Sequence, residues 1–278
     1  MKTRAITGFF FVIVMVASNL LGQYVFSGFY LVLSLLCLYE FYGLVKQHTA
    51  KPNITMGLLN GALLFAAFTL IAWANHYSLP DLHNANGYRL LFIAPVLIGG
   101  IFITELFRNI DKPFNNIAFT IIGIVLTIVP FIFFQAIAYL HGDFNFHYPL
   151  AFLIMLWGND TGAYLSGRAF GKHKLFERHS PKKTWEGFIG GVLISAGIAL
   201  IISHYYTDMS WVKWVIMAVI IGTFGTMGDL VESMFKRSIN VKDSGGILPG
   251  HGGLLDRFDG LFLAVPVVYT YLYLISNY

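Results

Sequence analysis

Acidic and basic side chains follow one another closely in the last third of the chain. Asp229 and Glu232 come directly after an apolar run, and the same stretch continues with Ser233, Lys236 and Arg237. If the run continues as a helix, offsets of three, four, seven and eight residues place these side chains on roughly one face. A carboxylate there needs a cation, a polar partner or water. A pair between Asp229 and Lys236 or Arg237 at a helix end would satisfy that need without any function.

A glycine-rich segment, NVKDSGGILPGHGGLLDRFDG, follows from residue 240 to residue 260. Glycine allows positive φ and close backbone approach, so several amide N–H groups can converge on an anion. Lys242 and His251 add donors of the kind that hold polyphosphate. Turns between helices are also often rich in glycine, so this segment is a weak signal by itself.

Two aspartates open the last apolar run, with Asp256 and Asp259 three residues apart and Arg257 between them. Together with Asp229 they offer the hard oxygen ligands that Mg²⁺ prefers, and they leave positions for phosphate oxygens and water. Capping at a helix N-terminus is the simpler alternative. Capping explains one aspartate readily and the pair less well.

A second polar cluster lies upstream, in WGNDTGAYLSGRAFGKHKL (157–175) and RHSPKKTWEG (178–187). It places Asn159 and Asp160 inside an apolar run and adds Ser180, Lys182 and Lys183 in the following loop. The bases of such a loop can also be ordinary anchors at a membrane surface. Asp160 has no such simple explanation, because an acidic side chain within a span is costly.

The elements that must position these residues are membrane-spanning helices. The composition is 56% hydrophobic and only 12% charged, with a mean hydropathy of +0.67, whereas a soluble domain has roughly 25% charged residues. Apolar runs near the length needed to cross about 30 Å of hydrocarbon recur along the chain. We predict an all-α polytopic membrane protein with about nine spans, near residues 6–21, 25–45, 54–74, 90–107, 117–140, 148–165, 188–206, 211–230 and 258–276.

The positions of the basic residues predict the orientation. With a cytoplasmic N-terminus and an external C-terminus, sixteen of the 18 lysines and arginines fall on the inner side, as the positive-inside rule requires. The formal charge of +4 is therefore explained by topology, and nucleic acid is not an expected partner. Because ionisable residues crowd the last spans, we predict a scaffold of five helices over 1–147 and a catalytic region of four helices with cytoplasmic loops over 148–278.

The segment from Ser233 to Asp259 resembles the signature of the phosphatidate cytidylyltransferases, the CDP-diglyceride synthetases. The pattern S-x-x-K-R-x(4)-K-D-x-G-x(3)-P-G-H-G-G-x-x-D-R-x-D is filled at every fixed position over 27 residues. The upstream motifs NDTGAYLSGRAFGKHKL and SPKKTWEG are similar to that family as well. Gly260 departs from the serine that many members have after Asp259, outside the fixed positions.

The resemblance implies transfer of a cytidylyl group from CTP to phosphatidate at the cytoplasmic face of the inner (plasma) membrane. Membrane lipids are the other implied partners, and the resemblance leaves open whether the protein forms a homodimer. It implies Mg²⁺ at Asp229, Asp256 and Asp259, with a second cation such as K⁺ left open. The other implied catalytic residues are Lys236, Arg237, Lys242, Asp243, His251 and Arg257. The implied substrate contacts are Asn159, Asp160, Ser180, Lys182, Lys183, Ser233, Gly250, Gly252 and Gly253.

Three other functions remain open from the residues. A transporter would also carry acidic residues in its spans, but it would need a polar path through both leaflets. A cytidylyltransferase acting on another lipid phosphate, or a CTP-dependent lipid kinase, would need much the same phosphate-binding groups.

Overall fold

The computed structural model describes residues 2–76, 92–245 and 252–276, and these are built almost entirely of helices. In these ranges the helices are α1 (Lys2–Leu20), α2 (Gln23–His48), α3 (Ile54–His76), α4 (Ile93–Phe107), α5 (Pro113–Gly123, continued through a π turn at Ile124–Ile128 into Val129–Ile137), α6 (His147–Phe170), α7 (Trp185–Tyr205), α8 (Trp211–Ser238) and α9 (Leu255–Ser276). The same described ranges contain two strands, β1 (Lys174–Phe176) and β2 (Ser180–Thr184).

Six of these helices are long and apolar enough to cross a membrane. They are α2, most of α3, the whole of α5, and α7, α8 and α9. The apolar part of α1 and the whole of α4 are shorter, and α6 carries Asn159 and Asp160 in its middle. The prediction of a helical membrane protein is confirmed, while the number of nine spans and the orientation of the termini stay predictions.

A β hairpin between α6 and α7 corrects the purely helical prediction. Strands β1 and β2 pair antiparallel, with Lys174 opposite Thr184. Glu186, in the first turn of α7, accepts hydrogen bonds from the backbone N–H groups of Lys172 and His173 and approaches the His173 ring at 2.6 Å. These contacts fix the ends of a segment whose own sequence, SPKKT, has little strand propensity.

The described contacts divide the chain into two compact units. The first contains residues 1–145 and 243–255, and the second contains residues 146–242 and 256–278. The described residues 243–245 and 252–255 of the glycine-rich segment therefore group with the N-terminal helices, although they lie between the last two helices in sequence. A division into a scaffold and a catalytic region stays a prediction.

Glycines allow the helices of the second unit to approach closely. A Cβ atom at Gly162 of α6 would lie 3.2 Å from the Gly191 Cα of α7. At Gly228 of α8 a Cβ atom would overlap the backbone carbonyl oxygen of Asp259 in α9. Small residues at helix contacts are typical of membrane proteins, where close backbone packing replaces the hydrophobic effect.

Substitution of Gly228 by alanine is expected to separate α8 from α9 and to lower the rate of the cytidylyl transfer that the resemblance implies by at least roughly tenfold. The added methyl group meets backbone, which cannot move aside like a flexible side chain. Gly197→Ala is the matched control, because a Cβ atom at Gly197 in α7 meets no atom within 4 Å. Turnover and melting temperature in detergent would test both variants, and full activity in Gly228→Ala would contradict the packing argument.

Candidate active site

Lys236 lies between two carboxylates in the second unit. Its Nζ atom is 2.5 Å from Glu232 Oε2 and 2.5 Å from Asp256 Oδ1. The three side chains are 8–11% exposed, so one ammonium group faces two carboxyl groups largely out of water. Glu232 and Lys236 are one helical turn apart on α8, and Asp256 lies in the first turn of α9. The cluster therefore joins two helices that the sequence predicted to meet.

Asp229 makes a second ion pair, with Lys183 of strand β2. The Lys183 Nζ atom lies 2.5 Å from Asp229 Oδ2, and the Ser233 hydroxyl donates to Asp229 Oδ1 at 3.2 Å. The internal helix-end pair of Asp229 with Lys236 or Arg237 is thus replaced by a pair with another element. This pair brings the loop motif SPKKTWEG to the carboxylates of α8.

Further acidic groups lie within electrostatic range of these pairs. Asp259 interacts with the charges of Asp229, Glu232 and Asp160. Asp160 in turn interacts with Lys183 and Arg257. Among the described residues, five carboxylates thus face three cations, and the acidic members are Asp160, Asp229, Glu232, Asp256 and Asp259. A cluster this rich in carboxylate groups suits a divalent cation.

A cavity of about 260 Å³ opens beside the Asp229 and Lys183 pair. Its polar lining includes Asn159, Asp160 and Lys182, and its apolar lining includes Tyr164 and Phe188. Strand β2 and helices α6, α7 and α8 all contribute to the walls. A site lined by cations, carboxylates and aromatic side chains can hold a charged group with an apolar or ring-shaped extension.

The side chains of this cluster have the right chemical type to bind Mg²⁺. Carboxylate oxygens are its preferred ligands. In the ranges that the structure describes, no group of three or more histidine, cysteine or acidic side chains has metal-binding geometry. Two of the three predicted ligands, Asp229 and Asp256, are paired with lysines. Binding of Mg²⁺ by the predicted set therefore requires these ammonium groups to shift.

Other predicted residues are exposed or do not line the cavity described above. Arg237 is exposed and donates to the Val241 carbonyl at 2.9 Å. Lys242 and Asp243 are exposed in the segment after α8. Among the described residues, the cavity lining includes Lys182 and Lys183 but not Ser180.

The glycine-rich segment is described only at its two ends. Gly250 and His251 fall outside the described residues, so their predicted roles are untested. Gly252 has φ of +81°, a conformation that favours glycine. Gly253 belongs to the first unit and lies against Glu40 of α2.

Glu232 was missing from the predicted site, and a contact of Glu40 within the first unit was not predicted either. Glu232 could have been included, because it lies three residues after Asp229 and four before Lys236 on a predicted helix. Glu40 gave no usable signal, since its partner Leu255 is 215 residues away in sequence.

Comparison with known proteins adds a consistent finding. A family model described as "Cytidylyltransferase family" matches residues 2–275. The chain is similar to "Phosphatidate cytidylyltransferase" of Staphylococcus haemolyticus (strain JCSC1435), with 35% identity over 271 residues, covering 96% of this chain and 97% of the relative. The protein of the same name from Staphylococcus saprophyticus (strain ATCC 15305) is 37% identical over 239 residues, covering 76% of this chain and 90% of the relative.

Proposed function

Because this chain belongs to the cytidylyltransferase family, we propose that it transfers the cytidylyl group of CTP to phosphatidate. The products are CDP-diacylglycerol, which stays in the bilayer, and pyrophosphate. The observation that carries this proposal is the complete 27-residue signature, whose Lys236 and Asp256 are in direct contact. The names of the relatives support phosphatidate as the lipid substrate.

The reaction is an in-line displacement at phosphorus. A phosphate oxygen of phosphatidate attacks the α-phosphorus of CTP, a new P–O–P bond forms, and the bond from the α-phosphorus to the bridging oxygen of the β-phosphate breaks. Pyrophosphate takes the electron pair of that bond. Both reactants are anionic, so positioned cations must lower their repulsion. No protein nucleophile is required.

The chain supplies cations and ligands for both reactants. Lys236 and Arg257 belong to the charged cluster and are suited to bind oxygens of the triphosphate. Arg237 and Lys242 are exposed, so they can contact the triphosphate of a CTP molecule that arrives from the solvent. Lys183 lines the cavity with Lys182, where we place the lipid phosphate or the nucleotide. Backbone N–H groups near Gly252 are further candidate donors to departing pyrophosphate.

Mg²⁺ is the proposed cofactor, with Asp229, Asp256 and Asp259 as its ligands. When bound, it neutralises phosphate oxygens and helps to hold them in line. A second cation such as K⁺ is compatible with the five carboxylates of the cluster. We place the reaction at the cytoplasmic face of the plasma membrane, because the predicted inner loops hold most of the lysines and arginines.

Incubation of the purified protein with labelled CTP, Mg²⁺ and phosphatidate tests this function. We expect a lipid that carries the cytidylyl label, equimolar pyrophosphate, and loss of both when EDTA is added. Release of CDP with a phosphorylated lipid would instead indicate a lipid kinase. Transfer of the cytidylyl label only to another lipid phosphate would show that phosphatidate is not the substrate. Ion flux without nucleotide turnover would indicate a transporter.

A further inference from the structure

A carboxylate of the N-terminal helices contacts the glycine-rich segment within the first unit. Glu40 lies towards the C-terminal end of α2 and is only 7% exposed. Its Oε2 atom accepts a hydrogen bond from the backbone N–H of Leu255 at 2.9 Å. Leu255 is the first residue of α9 and directly precedes Asp256.

Both described ends of the glycine-rich segment also pass close to this carboxylate. A Cβ atom added at Gly245 or at Gly253 would overlap Glu40 Oε1. Any other residue at either position would therefore displace the side chain or the backbone. The glycines of the signature thus have a second use besides forming turns, since they let the main chain approach one buried carboxylate from two sides.

We propose that Glu40 is a positioning residue for the reaction, and this inference rests on the proposed cytidylyl transfer. The first N–H groups of a helix have no carbonyl partner within that helix. A carboxylate that accepts one of them also interacts favourably with the positive end of the helix dipole. Glu40 therefore acts as an N-terminal cap supplied by a distant helix, and it fixes the backbone immediately before Asp256.

This role differs from that of the other buried glutamate in the first unit. Glu105 of α4 is 3% exposed and interacts with Arg108 and Asn116. Both of its partners lie within the N-terminal helices and their connections. Glu105 therefore serves as a control for the general cost of losing a buried carboxylate, without a contact to the signature segment.

The first test compares Glu40→Gln, Glu40→Met and Glu105→Gln in the purified full-length protein. The amide oxygen of Glu40→Gln can still accept the Leu255 N–H, so we expect kcat within about threefold of wild type. Methionine has similar bulk without an oxygen acceptor, and we expect kcat to fall at least roughly tenfold with the KM for phosphatidate unchanged. Glu105→Gln should lower the melting temperature but not kcat. Equal kcat in folded Glu40→Met and wild type would overturn the proposal.

The second test does not depend on turnover or on the folding of a variant. Hydrogen exchange of the Leu255 amide in the wild-type protein should be slow, although an uncapped first residue of a helix exchanges rapidly. Exchange as fast as in an unfolded peptide would overturn the proposal even if Glu40→Met fails to fold. Absence of CDP-diacylglycerol from the wild-type assay would reject the proposed function instead, while a protected Leu255 amide would still support the contact.

Discussion

Substitution of Asp256 by asparagine is expected to lower kcat for CDP-diacylglycerol formation by at least about 100-fold, the scale for loss of one electrostatic contact to a transition state. Asparagine keeps the size of the side chain but removes the charge that faces Lys236 and, in the proposed mechanism, Mg²⁺. The variant should also need a higher Mg²⁺ concentration for its remaining activity. Steady-state assays over a Mg²⁺ titration measure both effects.

Asp208→Asn is the matched control for this substitution. Asp208 is exposed between α7 and α8 and pairs with His147 at 2.8 Å, so its charge is not part of the proposed site. We expect wild-type turnover and the wild-type Mg²⁺ requirement in that variant. Near-normal activity in Asp256→Asn, with the protein folded in detergent, would reject Asp256 as a metal ligand and as a catalytic residue.

Replacement of Lys236 by methionine is expected to affect both stability and activity. The buried ammonium group compensates Glu232 and Asp256, and removal of one partner from a buried ion pair costs about 3–5 kcal/mol. The melting temperature should therefore fall, and kcat should fall at least about 100-fold because a phosphate-binding cation is lost. Thermal unfolding in detergent and the turnover assay measure the two losses separately.

A double variant separates the structural role of Lys236 from its catalytic role. Glu232→Gln removes one of the two carboxylates that Lys236→Met leaves uncompensated. The combination should recover much of the melting temperature without recovering turnover. Recovery of both would show that Lys236 only maintains the fold. Lys213→Met, near the other end of α8, controls for the loss of a lysine from the same helix.

Local periodicity was sufficient to predict the helical parts of the site. The apolar run after Trp211 continues as α8 to Ser238, and Asp256 and Asp259 lie in the first turns of α9. These features depend on residues three or four positions apart, which a sequence displays directly. Periodicity did not predict the contact of Lys236 with Asp256, because that contact joins the side chains of two different helices.

Contacts between distant segments could not be predicted in the same way. The partner of Asp229 is Lys183, and nothing in the spacing of either motif selects that pair over a pair within α8. Glu186 contacts the residues that precede the β hairpin, and the strand propensity of SPKKT does not reveal this contact. Glu40 lies in a helix whose other residues are mostly apolar, so only the folded chain reveals its partner.

The length of α8 has a consequence for where the charges lie. Its 28 residues extend about 42 Å at 1.5 Å per residue, whereas the hydrocarbon core of a bilayer is about 30 Å thick. With Trp211 at one boundary, roughly the last eight residues protrude beyond the opposite boundary. Lys236 would then stand at the depth of lipid headgroups, where a water-soluble nucleotide can reach a phosphate that never leaves the leaflet.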